Sequence, residues 1–216
     1  MLRVLREQSE LLEHQPVDCC IGFVDGTFRA CSRPTFGEQC IYSGYYKQHG
    51  LKFQSVVAPN GIIIDLFGPH AGRLADSNML EESKLLDRME ALSEMVGNGK
   101  TYNSYGDAAY PIGPYMMLGY KCTRGAEEQL LTVWMKSFRV SVEQAFALVL
   151  RDWHFLVEET NLKLWKQPVA LMFIVAVLLT NTKTCSMAEE HDAFGNQISM
   201  RFRLSPPSLH AYLHGL

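Results

Sequence analysis

Three acidic residues most constrain how this chain can fold, because each one adjoins a segment with the pattern of regular structure. Asp25 ends the apolar run 20–24, Asp107 follows a short β-prone segment, and Glu143 lies at the start of a helical pattern. Thirty-five residues separate Asp107 from Glu143. Carboxylates on two strands and one helix can meet only if the chain between them folds in a particular order, so the remaining elements must supply that order.

The predicted secondary structure supplies such an order. Residues 51–58 and 62–67 are apolar runs joined by Pro59-Asn60-Gly61, which is a strong hairpin signal. Apolar residues between positions 79 and 92 recur at helical spacing. The predicted elements are strands 19–29, 51–58, 62–67 and 101–105 and helices 77–96, 127–153 and 169–179, with loops at 30–48, 68–75 and 110–125.

The order of strand, strand, strand, helix, strand and helices is that of an RNase H-like core. We therefore predict an α/β fold, with a mixed five-stranded sheet flanked by helices. In such a core the first and fourth strands lie side by side at the centre of the sheet. Asp25 and Asp107 would then meet at one edge, where Glu143 joins them from the following helix.

At 216 residues the chain is long enough for one sizeable core. We expect residues 1–18 to be a lead-in segment from an upstream region, 19–182 to be the RNase H-like domain, and 183–216 to be a weakly ordered tail. The apolar run 169–179 is shorter than the roughly 20 residues of a membrane helix. It predicts a buried helix in a soluble intracellular protein without a membrane span. The cysteines contain no C-x-x-C pair, which argues against a zinc site.

The net charge of −3 limits how this chain could hold nucleic acid. Proteins that neutralise phosphates usually carry a basic footprint. A basic surface must therefore be local, or DNA must be held by another domain or protein. Lys47, His49 and Lys52 form the best local basic cluster and are predicted to contact phosphate. Trp165 is predicted to pack in the core.

The three carboxylates predict a catalytic divalent-metal site. Mg²⁺ and Mn²⁺ prefer carboxylate oxygens, and two such ions roughly 3.5–4 Å apart can support an in-line displacement at phosphorus. In this interpretation Asp25 bridges both ions, Asp107 holds one and Glu143 holds the other. Each residue also has a structural interpretation: Asp25 and Asp107 as turn residues, and Glu143 as the ion-pair partner of Arg139 one turn earlier.

Several short motifs occur in the order found in one family. They are F-V-D-G-T at 23–27, the segment 42–60, G-P-H-A-G-R-L-A-D-S at 68–77, G-D-A-A-Y-P at 106–111, R-V-S-V-E-Q-A-F at 139–146 and L-L-T-N at 178–181. Through these motifs the chain resembles the Harbinger-type (PIF/Harbinger) transposases and their DDE superfamily endonuclease domain. The resemblance covers residues 19–182.

The resemblance implies a metal-dependent endonuclease that hydrolyses DNA phosphodiester bonds and transfers strands, with Mg²⁺ or Mn²⁺ as cofactor. It also implies a nuclear location and a separate Myb-like DNA-binding partner. The chain departs from the family pattern at Ala75, where the family has histidine, and at 146–150, which lacks the family's glycine and basic residues. Two alternatives stay open: a catalytically inactive, domesticated interaction module, and an RNase H-like hydrolase that acts on RNA.

Overall fold

The structure is a computed structural model that describes residues 19–97, 99–118, 125, 133, 140, 142–157, 162–194 and 205–214, so the predicted lead-in 1–18 lies outside it. The strands are β1 (Cys20–Ala30), β2 (Tyr42–Ser43), β3 (Gln48–Val57), β4 (Ile63–Ala71), β5 (Asn103–Gly106) and β6 (Met116–Leu118). The helices are α1 (Glu38–Ile41), α2 (Asp76–Ser83), α3 (Leu85–Val96), α4 (142–152), α5 (Val169–Phe194) and α6 (Leu209–His214), with a 3₁₀ turn at His154–Leu156.

In the described chain, six strands form one mixed sheet, in the order β2-β3-β1-β5-β6, with β4 paired to β3. β1 runs antiparallel to β3 and parallel to β5, and β5 runs parallel to β6. The predicted RNase H-like α/β fold is confirmed, with β1 and β5 as neighbours. The sheet has six strands where five were expected. β2 and β6 add to the four strands located in the sequence, and both lie in segments predicted as loops. Strands this short carry no alternating pattern in the sequence.

The β3–β4 hairpin forms where the sequence predicts it. The N–H of Ala58 donates to the carbonyl of Ile62 at 2.9 Å. The side chain of Asn60 accepts the N–H of Ile62 at 3.1 Å. Gly61 has φ 82°, a left-handed conformation that a residue without Cβ adopts at no steric cost. The turn therefore fixes the register between β3 and β4.

Helices cover both faces of the sheet. On one face the strands pack against α4 and α5, and we call this group the α4/α5 cluster. It includes Phe23, Phe53, Val57, Tyr105, Val142, Ala145, Phe146, Val149, Phe173 and Val177. On the other face the α2/α3 cluster includes Val24, Val56, Leu80, Leu85, Met89, Tyr102 and Met116. Phe23 and Val24 belong to different clusters because successive strand side chains point to opposite faces.

The predicted helix 77–96 is two helices, because the chain turns at Lys84. Lys84 has φ 53°, which ends α2 and begins α3. Gln54 on β3 is fully buried, and its amide donates to the Ser83 hydroxyl at 3.0 Å. The same hydroxyl accepts the N–H of Leu85 at 3.3 Å. The break therefore places a hydroxyl where it satisfies both the buried amide and the start of α3.

α5 is longer than the predicted helix 169–179 and ends at Phe194. By length and composition its segment Val169–Met187 could cross a membrane. In the fold one face of this helix packs in the core, where the amide of Asn181 donates to the carbonyl of Ile63 at 2.9 Å and accepts the N–H of the same residue at 3.1 Å, while Leu171 and Leu178 on the helix are exposed. These two bonds attach α5 to β4 in the interior.

The segment predicted as a weakly ordered tail, 183–216, contains regular structure. α5 continues through the expected domain end at residue 182, and Cys185 is fully buried. The helix α6 follows further on, and the hydroxyl of its Tyr212 accepts a hydrogen bond from Asn181 at 3.1 Å. The periodicity that ends in the sequence near residue 186 therefore does not mark the end of the packed structure.

Candidate active site

The parallel pairing of β1 and β5 brings two of the predicted site residues to the same place. Phe23 is paired with Tyr105, and their rings meet edge to face with centroids 6.0 Å apart. Continuing this register by two residues sets Asp25 beside Asp107. Neighbouring strands lie about 4.8 Å apart, and Asp25 projects from the same face of β1 as Phe23. Both carboxylates are half-buried, and this continued register predicts that they are neighbours just beyond the end of β5.

Each aspartate is oriented by a local hydrogen bond. Asp25 Oδ1 accepts the N–H of Gly26 at 2.9 Å. Asp107 Oδ1 accepts the N–H of Ala109 at 2.9 Å, and the Asp107 carbonyl accepts the N–H of Tyr110 at 3.1 Å. The structural interpretation of Asp107 as a turn residue is therefore correct. It does not conflict with metal binding, since a carboxylate offers about four acceptor positions.

The glycines beside the two aspartates are required by packing. A Cβ on Gly26 would lie 2.4 Å from Asp76 Oδ1, and a Cβ on Gly106 would lie 2.8 Å from Cδ2 of Tyr110. Both distances are below any normal contact. The close neighbours are protein side chains in both cases. For Gly106 the neighbour is Tyr110, so the G-D-A-A-Y-P motif forms a packed turn.

Glu143 is carried by α4, which packs over the same face of the sheet as Asp25. Val142 and Phe146 on this helix are buried in the α4/α5 cluster together with Phe23. Glu143 follows Val142, so it lies about 100° around the helix from that buried position, and its side chain is exposed. Arg139, the alternative ion-pair partner, lies outside the described residues.

The carboxylate oxygens of this site are of the type that binds a hard divalent cation. Asp25 and Asp107 supply carboxylate oxygens of the kind that Mg²⁺ and Mn²⁺ prefer. Within the ranges that the structure describes, however, no three His, Cys, Asp or Glu side chains are already gathered into a metal-binding group. The register of β1 and β5 thus predicts that the two aspartates are neighbours, and Glu143 is exposed on α4.

Ser55 is a residue of this site that the sequence analysis missed. It is directly opposite Asp25 on β3, so the two side chains share one face with Cβ atoms about 4.5–5.5 Å apart. Ser55 is fully buried, and its Oγ finds no hydrogen-bond partner among the described residues. The sequence signal for Ser55 was a serine within the predicted strand 51–58.

The predicted phosphate-contacting cluster is divided by the fold. Lys52 is buried, and its Nζ lies 2.9 Å from Asp76 Oδ1 and donates to a backbone carbonyl at 3.1 Å. His49 is largely covered and lies 3.4 Å from a carboxylate oxygen of Glu38. Lys47 is exposed in the turn before β3. Of the three, Lys47 is therefore the one whose charge faces solvent.

The family model described as DDE superfamily endonuclease matches residues 24–181, which is well over half of the chain. The chain belongs to this family. The matched region begins one residue before Asp25 and includes Asp107 and Glu143. Members of the family are DNA endonucleases that generally use divalent metal ions. No curated protein and no solved structure is significantly similar to the chain.

Proposed function

We propose that this DDE superfamily endonuclease domain cuts phosphodiester bonds in DNA, with Asp25, Asp107 and Glu143 as its catalytic metal ligands. The observation that supports the proposal is the parallel register of β1 and β5, whose continuation would set Asp25 beside Asp107, on the sheet face against which the helix of Glu143 packs. Bound Mg²⁺ or Mn²⁺ would activate the attacking oxygen and stabilise the leaving oxygen, in the two-metal mode.

The protein's own contribution is to hold the carboxylates in place. Asp25 lies on β1, which is paired on both sides and is therefore rigid. Asp107 is held in its turn by the N–H of Ala109. Ser55 faces Asp25 with a buried hydroxyl that can donate to the carboxylate or to a water beside it. Such outer contacts fix the orientation of metal ligands.

The motifs at 106–111 and 139–146 support a Harbinger-type origin within the family. On that resemblance we place the protein in the nucleus, with strand transfer as a further reaction of the same site. The net charge of −3 favours a separate Myb-like DNA-binding partner that would deliver the target. We keep residues 19–182 as the catalytic unit, while α5 extends beyond it.

One observation favours a second function. Glu143 is exposed, and no three acidic or other ligating side chains are gathered in the described part of the chain. A domesticated relative that has lost catalysis could keep the paired aspartates and serve as an interaction module. The two functions differ in whether the chain itself cuts nucleic acid.

Nicking of supercoiled plasmid DNA in Mn²⁺ distinguishes the two, with an RNA substrate run in parallel. Wild type is expected to nick DNA, and Asp107→Asn is expected to abolish nicking. Asp87→Asn, the same substitution at an exposed position on α3, is the matched control and should retain activity. Nicking that persists in Asp107→Asn would contradict the proposed site, and cutting of RNA alone would favour the hydrolase alternative.

A further inference from the structure

Two neighbouring surface segments, 33–49 and 162–167, have a charge opposite to that of the whole chain. Together they contain four lysines and arginines and a single acid, Glu38, whereas the full sequence has 20 basic and 23 acidic residues. Glu38 is itself paired with Arg33 at 2.8 Å. Lys47, Lys163 and Lys166 therefore give these segments a local excess of positive charge.

The same segments expose aromatic side chains. Phe36 is 80% exposed, Tyr45 87% and Trp165 71%. The two segments are joined by hydrogen bonds, since the N–H of Ser32 donates to the Leu162 carbonyl at 2.9 Å and Trp165 Nε1 donates to the Phe36 carbonyl at 3.0 Å. The expectation that Trp165 packs in the core is wrong, because its turn presents the ring to solvent.

Ring contacts restrict the positions of Tyr46 and Tyr45. Tyr46 stacks on Phe28 with centroids 4.3 Å apart and ring planes 12° apart, and Tyr45 meets Tyr46 edge to face at 4.9 Å. The Phe28 ring packs against Gly50 and Gly72. A Cβ on Gly50 would lie 2.4 Å from an atom of this ring, and a Cβ on Gly72 would lie 2.6 Å from another. Tyr45 is thus fixed on a stack that starts in the central strand.

A further observation favours ligand binding at this surface. Trp165 has φ 69°, an unfavourable backbone conformation for a bulky residue of the kind found at ligand sites. Phe28, the base of the stack, is three residues from Asp25 on β1, so the two side chains lie on opposite faces of that strand.

We propose that Phe36, Tyr45 and Trp165, with Arg33, Lys163 and Lys166 in the same segments, bind unpaired bases of a DNA strand. Every base has a face that can stack on an exposed ring, and cations alongside follow the phosphates. Bases within a duplex offer no free face, so the ligand is single-stranded DNA or an unpaired end. The proposal rests on the proposed function in taking DNA as the substrate.

The test measures binding without cutting, in EDTA, by fluorescence anisotropy of a labelled 12-nucleotide single strand and of its duplex. Wild type is expected to prefer the single strand. Trp165→Leu and Tyr45→Leu should each weaken single-strand binding by about 5-fold to 150-fold, the range for loss of one stacked base. Tyr115→Leu removes a tyrosine that packs against the α2/α3 cluster, and this control should bind as wild type does.

Trp165→Phe separates stacking from loop structure, because it keeps a ring but loses the Nε1 bond to Phe36. Binding that Trp165→Phe retains and Trp165→Leu loses supports stacking. Equal single-strand binding by wild type and both leucine variants, or a preference for duplex, overturns the proposal. Since these measurements need no catalysis, loss of binding in Trp165→Leu would support this surface even if the wild-type protein failed to nick DNA.

Discussion

Replacement of Ser55 by alanine is expected to move stability and activity in opposite directions. The Ser55 side chain is fully buried, and its Oγ has no hydrogen-bond partner among the described residues. A buried hydroxyl without a partner costs about 1–3 kcal/mol. In metal-free protein, Ser55→Ala should therefore raise the free energy of unfolding by about 1 kcal/mol, which corresponds to about 2–4 °C in Tm for a chain of this size.

The same substitution should slow nicking. If Ser55 orients Asp25 when metal is bound, its removal is expected to lower activity or Mn²⁺ affinity by about 10-fold to 100-fold. Thermal unfolding in EDTA and plasmid nicking in Mn²⁺ measure the two effects. A metal-free Ser55→Ala protein that is less stable than wild type, or one that nicks at the wild-type rate, would refute the reasoning.

Ser83→Ala is the matched control for Ser55→Ala. Ser83 is also a buried serine, but its hydroxyl bonds to Gln54 at 3.0 Å and to the Leu85 N–H at 3.3 Å on the α2/α3 face. Its loss leaves the buried amide of Gln54 unpaired, so unfolding free energy should fall by about 1–3 kcal/mol. The two serine variants are thus predicted to change stability with opposite signs.

Two further predictions concern stability, one beside the site and one at the ion pair between α4 and α5. Gly26→Ala places a Cβ 2.4 Å from Asp76 Oδ1 and should cost about 1–3 kcal/mol in urea unfolding, whereas Gly44→Ala, which meets nothing within 4 Å, should be neutral. Burial disfavours the ionised form of Asp152. Hydrogen bonds from Lys183 and a neighbouring arginine favour that form more strongly, so the pKa of Asp152 is below its ordinary value of 3.8. Its stabilisation is therefore present above that pH and lost as pH falls through the lower folded pKa. Asp152→Asn should be less stable than wild type at pH 7, and a difference that persists undiminished at pH 2–3 would contradict this assignment.

The order of elements could be predicted from the sequence. The apolar run before Asp25 and the Pro-Asn-Gly turn are local signals, and a local signal is sufficient for a central strand and a hairpin. The neighbouring positions of β1 and β5 follow from the order of strands in an RNase H-like core. The pairing of Asp25 with Asp107 stays a prediction that extends the register of these two strands.

Features set by distant contacts could not be predicted. The break at Lys84 exists because Gln54, 30 residues earlier, needs a partner at Ser83. The burial of Lys52 depends on Asp76, which the sequence shows only as a helix cap. The exposure of Trp165 depends on a turn that packs beside a segment more than 120 residues away. In each case hydrophobic periodicity, which is a local pattern, does not identify the distant partner residue.

Crystals of the wild-type protein soaked in Mn²⁺ provide the most direct test of the central claim. The account predicts an anomalous diffraction peak in contact with the carboxylates of Asp25 and Asp107, with Glu143 turned toward it. A Mn²⁺ peak bound elsewhere, with these carboxylates making no contact to it, would contradict the claim that this chain retains the metal site of a DDE superfamily endonuclease.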